Sequence, residues 1–163
     1  MKCFISYSRK DQNLKDKVRE YLRQLEGSFA LDIWDDGGIL PGEQWEKRIW
    51  AEFEQSQVIF VLVTENFLTS EFCLKKEFKR AVERHKNGEV RIVPVILKPC
   101  DWKAIPELKS LQVLPVGGHA ITGGRFRPQS RGYQGVVAEV RKLLVDQSHD
   151  RAKTVNSSRS RKL

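Results

Sequence analysis

The side chains that most often bind metals or act as nucleophiles are few in this chain and lie far apart. The 163-residue sequence has three histidines and three cysteines: His85, His119, His149, Cys3, Cys73 and Cys100. No H-E-x-x-H, C-x-x-C or G-x-S-x-G pattern brings them together or marks a serine nucleophile. The cysteines are odd in number and widely spaced, so we expect reduced thiols and no disulfide framework. The sequence predicts no metal site, and we expect the histidines on the surface or in loops.

Glycine-rich phosphate-binding patterns are also missing from the sequence. There is no G-x-G-x-x-G after a strand and no G-x-x-x-x-G-K-[ST], so neither a Rossmann dinucleotide site nor a P-loop is supported. Any site must therefore be built from polar residues placed by the fold.

Strand and helix patterns alternate along the chain. Apolar or alternating strands are predicted at 2–8, 29–34, 58–63 and 90–97, with a possible fifth at 111–116. Helical apolar stripes lie between them and close the domain. This alternation predicts an α/β fold in which a central, mostly parallel five-stranded sheet is covered by helices on both faces.

Ligands of such open sheets bind outside the carboxyl ends of the strands. The predicted strands end at four polar or loop segments: 6–9, 34–42, 64–66 and 99–102. A binding or catalytic site is predicted among these segments.

Charge and composition separate a tail from the body. The chain carries 29 Lys and Arg against 21 Asp and Glu, a net charge of +8, and no apolar run approaches the ~20 residues that span a bilayer. Residues 146–163 are basic and serine-rich with very few apolar side chains, so we predict a disordered tail or linker there. No basic and aromatic RNA motif is present, and we expect a cytoplasmic protein without a nucleic-acid or membrane partner.

Four motifs, in order, resemble those of a Toll/interleukin-1 receptor (TIR) domain of the bacterial type. They are FISYS at 4–8, WDD through LPGEQW at 34–45, SEFCLKKE at 70–77 and RIVPVILKPCDW at 91–102, the last followed by LQVLP at 111–115. The resemblance covers residues 1–145. It implies a flavodoxin-like three-layer sandwich and either cleavage of NAD⁺ with release of nicotinamide or an adaptor role through contacts between TIR domains.

The resemblance also implies the site residues. The family's catalytic glutamate falls on Glu77, four residues after Cys73, whereas some relatives have a spacing of three. Residues implied to contact NAD⁺, which is the substrate and not a cofactor, are Tyr7, Ser8, Arg9, Leu40, Trp45 and Cys73. The loop that begins at Asp35 and ends at Gly42 is implied to be a lid and a surface for self-association or for other TIR domains.

The chemistry of NAD⁺ is consistent with a single carboxylate. Glycosidases need a general acid because an alkoxide leaves poorly, but nicotinamide departs as a neutral molecule from a pyridinium. One glutamate can then hold the ribose hydroxyls and stabilise the ribosyl cation. We predict an NAD⁺ glycohydrolase in immune or anti-phage defence, with a non-enzymatic adaptor or a host-directed virulence factor as alternatives.

Overall fold

The computed structural model describes residues 1–39 and 41–160, with the helical backbone alone for 148–160. Leu40, one of the predicted NAD⁺ contacts, and residues 161–163 lie outside the described residues. The elements follow in chain order: β1 Lys2–Ser6, α1 Gln12–Phe29, β2 Asp32–Trp34, α2 Trp45–Gln55, β3 Val58–Val63, α3 Glu65–Thr69, a π-helix Glu71–Phe78, α4 Lys79–Lys86, β4 Arg91–Ile96, α5 Pro106–Ser110 and α6 Ser130–Ser160.

The sheet is parallel, and its four strands within the described residues have the order β2-β1-β3-β4. The predicted α/β fold with a parallel sheet is confirmed. The chain order reverses between β1 and β3, so the carboxyl ends of these two central strands form the switch point at which open sheets bind ligands.

The predicted fifth strand at 111–116 does not form a ladder. Leu114 makes an isolated parallel bridge with Val95, exchanging hydrogen bonds with Pro94 and Ile96. Pro94 and Pro115 have no backbone N–H to donate, which limits pairing on both sides of this edge. Gly117 and Gly118 have φ values of +92° and +71° and turn the chain away.

The core has two layers, one on each face of the sheet. β3 is buried along its whole length because alternate side chains enter opposite layers. Val58, Phe60 and Leu62 pack with α1 and α6. Ile59, Val61 and Val63 pack with α2, the π-helix, α4 and α5. The predicted three-layer sandwich is thereby formed.

The closing helix is longer than the sequence predicts. Helix α6 continues through Ser160, so the backbone of 146–160 is helical where the composition predicts a disordered tail. Val136, Val140 and Leu144 anchor the first half of this helix to α1 and the sheet. The division into a domain and a tail or linker stays a prediction.

Candidate functional site

A cavity of about 280 Å³ lies at the carboxyl end of β1. It is enclosed by β1, the turn after it, the loop after β2, the start of α2 and the π-helix. Its lining includes six of the predicted site residues: Tyr7, Ser8, Arg9, Trp45, Cys73 and Glu77. The structure therefore brings together every predicted site residue that it describes.

A larger groove of about 840 Å³ lies at the β4 edge of the sheet. It begins at the amino end of β4 and lies between that strand and α6, with Arg91, Glu139 and Lys142 among its lining residues. None of the predicted site residues lines it. Because parallel sheets bind ligands at the opposite ends of their strands, we place the candidate site in the smaller cavity.

Glu77 is a buried carboxylate, with 4% of its surface exposed. The hydroxyl of Ser6 donates a hydrogen bond to Glu77 Oε2. The pKa of Glu77 is raised to about 8, chiefly by burial; the hydrogen bond from Ser6 opposes this rise, and the negative charge of Asp36 adds to it. In the empty cavity Glu77 is therefore a largely protonated acid at neutral pH.

The π-helix gives Glu77 its position. Ser70 precedes this helix, and its Oγ accepts a hydrogen bond from the backbone N–H of Cys73 at 3.2 Å. Cys73, Glu77 and Phe78 are buried, while Lys75 and Lys76 face solvent. Helical turns with i→i+5 bonding occur frequently at functional sites. Here the turn places the thiol and the carboxylate, four residues apart, in the same cavity.

Cys73 is a hydrogen-bond donor in this cavity. Its Sγ–H donates to the backbone oxygen of Tyr7 at 3.3 Å. Burial raises the pKa of the Cys73 thiol to about 11. A thiol with this pKa is protonated at neutral pH, so Cys73 lacks the thiolate character of a cysteine nucleophile.

Asp36 joins the loop after β2 to the turn after β1. Its carboxylate accepts hydrogen bonds from the Tyr7 hydroxyl and from Arg9 Nε, the second at 2.8 Å. Burial and the hydrogen bond to Asp36 raise the pKa of the Tyr7 hydroxyl. The Arg9 guanidinium lies 5.2 Å from the ring centroid of Trp45, which is 45% exposed. The mouth of the cavity thus carries a cation, an anion and a partly exposed indole ring.

The base of the same loop is fixed to α1. The carboxylate of Asp35 accepts hydrogen bonds from Lys15 Nζ at 3.1 Å, Arg19 Nη1 at 3.2 Å and the backbone N–H of Gly37 at 2.9 Å. A Cβ at position 37 would lie 2.9 Å from Asp35 Oδ1, so a larger residue there would displace this carboxylate from its contacts. These contacts hold Asp36 beside the cavity.

The turn that carries Ser8 and Arg9 is anchored by Asp11. The sequence predicts Asp11 as the N-cap of α1, and it occupies that position without a side-chain capping bond. Its carboxylate instead accepts from Thr64 Oγ1 at 2.6 Å, Asn66 Nδ2 at 2.9 Å and Lys98 Nζ at 3.3 Å. The loops at the carboxyl ends of β1, β3 and β4 are joined through this one group.

Ser6 and Asp36 lie in the predicted segments 6–9 and 34–42, but the sequence did not single them out as site residues. Strand alternation carried a signal for Ser6, since it lies on the same face of β1 as Phe4, in the layer of the π-helix. Asp36 had no such signal, because nothing in a loop sequence distinguishes a carboxylate that faces a cavity from a solvated one.

Neither metal clusters nor membrane spans occur in the part of the chain that the structure describes. No group of three or more His, Cys, Asp or Glu side chains there could hold a metal ion. No helix in the same residues is both long and apolar enough to cross a bilayer.

The fold and the cavity define a parallel α/β domain with a cavity at its central switch point. The sequence model of the TIR domain family matches residues 3–122. The chain therefore belongs to the TIR domain family, as the motifs predict.

Two curated proteins are similar in sequence. Uncharacterized protein y4lF from Sinorhizobium fredii is 35% identical over 119 residues, which are 73% of this chain and 36% of that protein. Toll-like receptor 2 from Bos indicus is 28% identical over 107 residues, which are 64% of this chain and 13% of the receptor. The chain thus spans well under half the length of either relative.

Solved TIR domains are similar in structure. The TIR domains of the activated Roq1 resistosome, which directly recognizes the pathogen effector XopQ, match with a TM-score of 0.58 and 15% identity, over 85% of this chain and 98% of that one. The TIR domain of the Toll-related receptor TRR-2 from Hydra magnipapillata matches with a TM-score of 0.47 and 18% identity, over 60% and 71%. At 15% identity the Roq1 likeness supports the fold alone.

Proposed function

We propose that this TIR domain is an NAD⁺ glycohydrolase that cleaves NAD⁺ into nicotinamide and ADP-ribose or a cyclic ADP-ribose isomer. The observation that carries the proposal is the buried carboxylate of Glu77, which lines a cavity whose mouth holds Arg9 and Trp45. A buried carboxylate with a strongly raised pKa in a cleft is typical of an active-site group.

The reaction breaks the bond between the ribose C1′ and the pyridinium nitrogen. The bonding electron pair moves to that nitrogen, and nicotinamide leaves as a neutral molecule. Positive charge develops on the ribose, where an ionised Glu77 stabilises it. Water then attacks C1′ and releases a proton, or an adenine nitrogen attacks C1′ to close the cyclic isomer.

The cationic nicotinamide ring itself favours ionisation of Glu77. The ring brings a positive charge into a cavity of low polarity, so the pKa of the carboxyl falls when NAD⁺ binds. The protonated acid of the empty site thus becomes the carboxylate that the reaction needs.

The other cavity residues have roles in binding. The Arg9 guanidinium is a donor for the pyrophosphate, and the partly exposed indole of Trp45 suits a cationic ring. Tyr7 and Ser8 line the wall on the side of β1, and the Cys73 thiol faces the same cavity. Leu40, in the lid loop, completes the proposed set of contacts.

The biological role follows from the family and belongs to the same proposal. NAD⁺ cleavage in the cytoplasm would act in immune or anti-phage defence signalling, with the 35–42 loop joining copies of this chain or other TIR domains. In this role NAD⁺ is a substrate, and no cofactor is required.

The experiment compares Glu77→Gln with the parent and with Glu71→Gln. Glu71 lies on the same π-helix but is exposed and pairs with Lys75 at 2.6 Å, outside the cavity. Nicotinamide release is measured by chromatography. We expect its rate to fall about 100-fold or more in Glu77→Gln, because the amide cannot supply the negative charge. Glu71→Gln should match the parent. Equal rates for both variants, with both folded, would overturn the assignment of Glu77.

A non-enzymatic role through contacts between TIR domains is the second candidate. It is favoured by the similarity to Toll-like receptor 2, and it covers both an adaptor and a host-directed virulence factor. Binding of another TIR domain that is equal in the parent and in Glu77→Gln, with no nicotinamide released by either, would support this candidate.

A further inference from the structure

Ser6 is a buried hydroxyl at the carboxyl end of β1 that no part of the proposed reaction uses. It is 1% exposed, and it lies on the face of β1 that packs against the π-helix. Its Oγ donates a hydrogen bond to Glu77 Oε2. Among the described residues, this is the one side-chain hydrogen bond to the Glu77 carboxyl. Both partners are buried.

The surroundings of Glu77 make this one donor important. The titratable and charged groups that line the cavity with Glu77 are Tyr7, Arg9 and Lys10 after β1, Asp36 after β2, and Cys73 on the π-helix. Helix α2 contributes only Trp45 and Ile49, which carry no charge. The charge of Asp36 opposes ionisation of Glu77, and Arg9 is engaged with Asp36. The Cys73 thiol is directed to the backbone of Tyr7.

A donor to a buried carboxylate has two physical effects. It stabilises the ionised form, since charge-assisted hydrogen bonds are stronger than neutral ones. It also restricts the side-chain torsions of the acceptor, which fixes the orientation of the carboxylate.

We propose that Ser6 is a positioning residue that holds the Glu77 carboxylate in the cavity and stabilises its ionised form. This inference rests on the proposed function, in which an ionised Glu77 stabilises the ribosyl cation. Ser6 acts through Glu77 and is not itself in contact with the reacting atoms.

The test is Ser6→Ala, which removes the donor and leaves the small size of the side chain. A hydrogen bond to a charged group contributes about 1.5–3 kcal/mol, so the titration of Glu77 should move upward by about one to two pH units. The titration is measured by ¹³C NMR of labelled glutamate carboxyl groups, with Glu77→Gln identifying the signal. The pH profile of kcat/KM for NAD⁺ should move in the same direction.

Ser56→Ala is the matched control for loss of a buried hydroxyl. Ser56 is 2% exposed, and its Oγ donates to the backbone oxygen of Glu52 at 2.8 Å, outside the cavity. It should leave the Glu77 titration where it is in the parent. Ser6→Thr, which retains a hydroxyl on a strand where β-branched residues are favoured, should restore the parental titration.

The outcomes separate this inference from the proposed function. A Glu77 titration that moves upward in Ser6→Ala but not in Ser56→Ala supports the role of Ser6. This holds even if no protein in the series releases nicotinamide and the proposed function fails. A Glu77 titration that is unchanged in Ser6→Ala, or that moves equally in Ser56→Ala, overturns it.

Discussion

The protonation of Glu77 sets a pH dependence for the proposed activity. The pKa of this carboxyl is about 8 in the empty cavity, and the reaction requires the ionised form. We predict that kcat/KM rises with pH to a plateau above about 8, because this parameter reports the free enzyme. The rise in kcat should occur at lower pH, since bound NAD⁺ lowers the pKa. Steady-state rates across pH measure both limbs, and a kcat/KM that is flat between pH 6 and 9 would contradict the prediction.

The same shift predicts that Glu77 destabilises the folded protein at high pH. The folded pKa of about 8 lies above the ordinary value of 4.5, so ionisation is harder in the folded state than in the unfolded chain. Below pH 4.5 the carboxyl is neutral in both states and Glu77 does not lower the free energy of unfolding. As the pH rises through about 8, the free energy of unfolding falls because the buried carboxyl must ionise.

Glu77→Gln should therefore be more stable than the parent at pH 9 and nearly equal to it at pH 4. Thermal melting at the two pH values measures this difference. A Tm of Glu77→Gln that lies below the parental Tm at pH 9 would show that the carboxylate is not under a desolvation cost.

For individual residues, the sequence predicts position where a motif includes the residue. It does not predict a protonation state or a hydrogen bond that depends on residues distant in the chain. SEFCLKKE predicts the position of Glu77, and the structure brings that residue to one cavity with Tyr7, Arg9 and Trp45. The raised pKa could not be predicted, because it depends on burial by segments distant in sequence. The same holds for the contact of Asp36 with Tyr7 and Arg9.

The loop after β2 combines a base that is fixed to α1 with a turn at Gly42 that lies in open surroundings. Asp35 is fixed to α1, whereas Gly42 has φ +90° and nothing within 4 Å of the place where a Cβ would lie. Proline requires φ near −65°, so Gly42→Pro cannot keep this turn. The variant changes the backbone of the loop without a steric clash in the core.

We predict that Gly42→Pro lowers nicotinamide release at least several-fold while the protein stays folded. The matched control is Gly124→Pro, at φ +84° in a different loop with equally open surroundings. Rates and circular dichroism spectra of both variants provide the measurement. Equal loss of activity in the two variants would show that the 35–42 loop has no special role.

The elements also show which patterns sequence can and cannot resolve. β3 was predictable because an unbroken apolar run is typical of a strand buried on both faces. The apolar pattern from Glu71 to His85 indicates one helix, whereas the structure has a π-helix followed by α4. The pattern does not show this division because hydrogen-bond spacing leaves no mark in it. The fifth strand does not form because Pro94, which faces residues 111–116 from β4, has no N–H to donate to them.

For the whole molecule, the exposed mouth of the cavity favours activity on self-association. Trp45 is 45% exposed beside the loop, so a neighbouring copy that covers it would also restrict the loop. We predict that specific activity climbs with protein concentration or on crowding. Assays across a hundredfold dilution series, with light scattering on the same samples, measure this. Flat specific activity from a monomeric species would contradict it.

Cleavage of NAD⁺ by the intact chain tests the central claim most directly. The measurement is ¹H NMR of NAD⁺ incubated with concentrated protein at a pH above 8, where Glu77 is ionised. We expect the signals of the pyridinium ring to be replaced by those of free nicotinamide, with ADP-ribose or its cyclic isomer formed in equal amount. NAD⁺ that stays unchanged beyond its spontaneous decay, at every protein concentration, would contradict the claim.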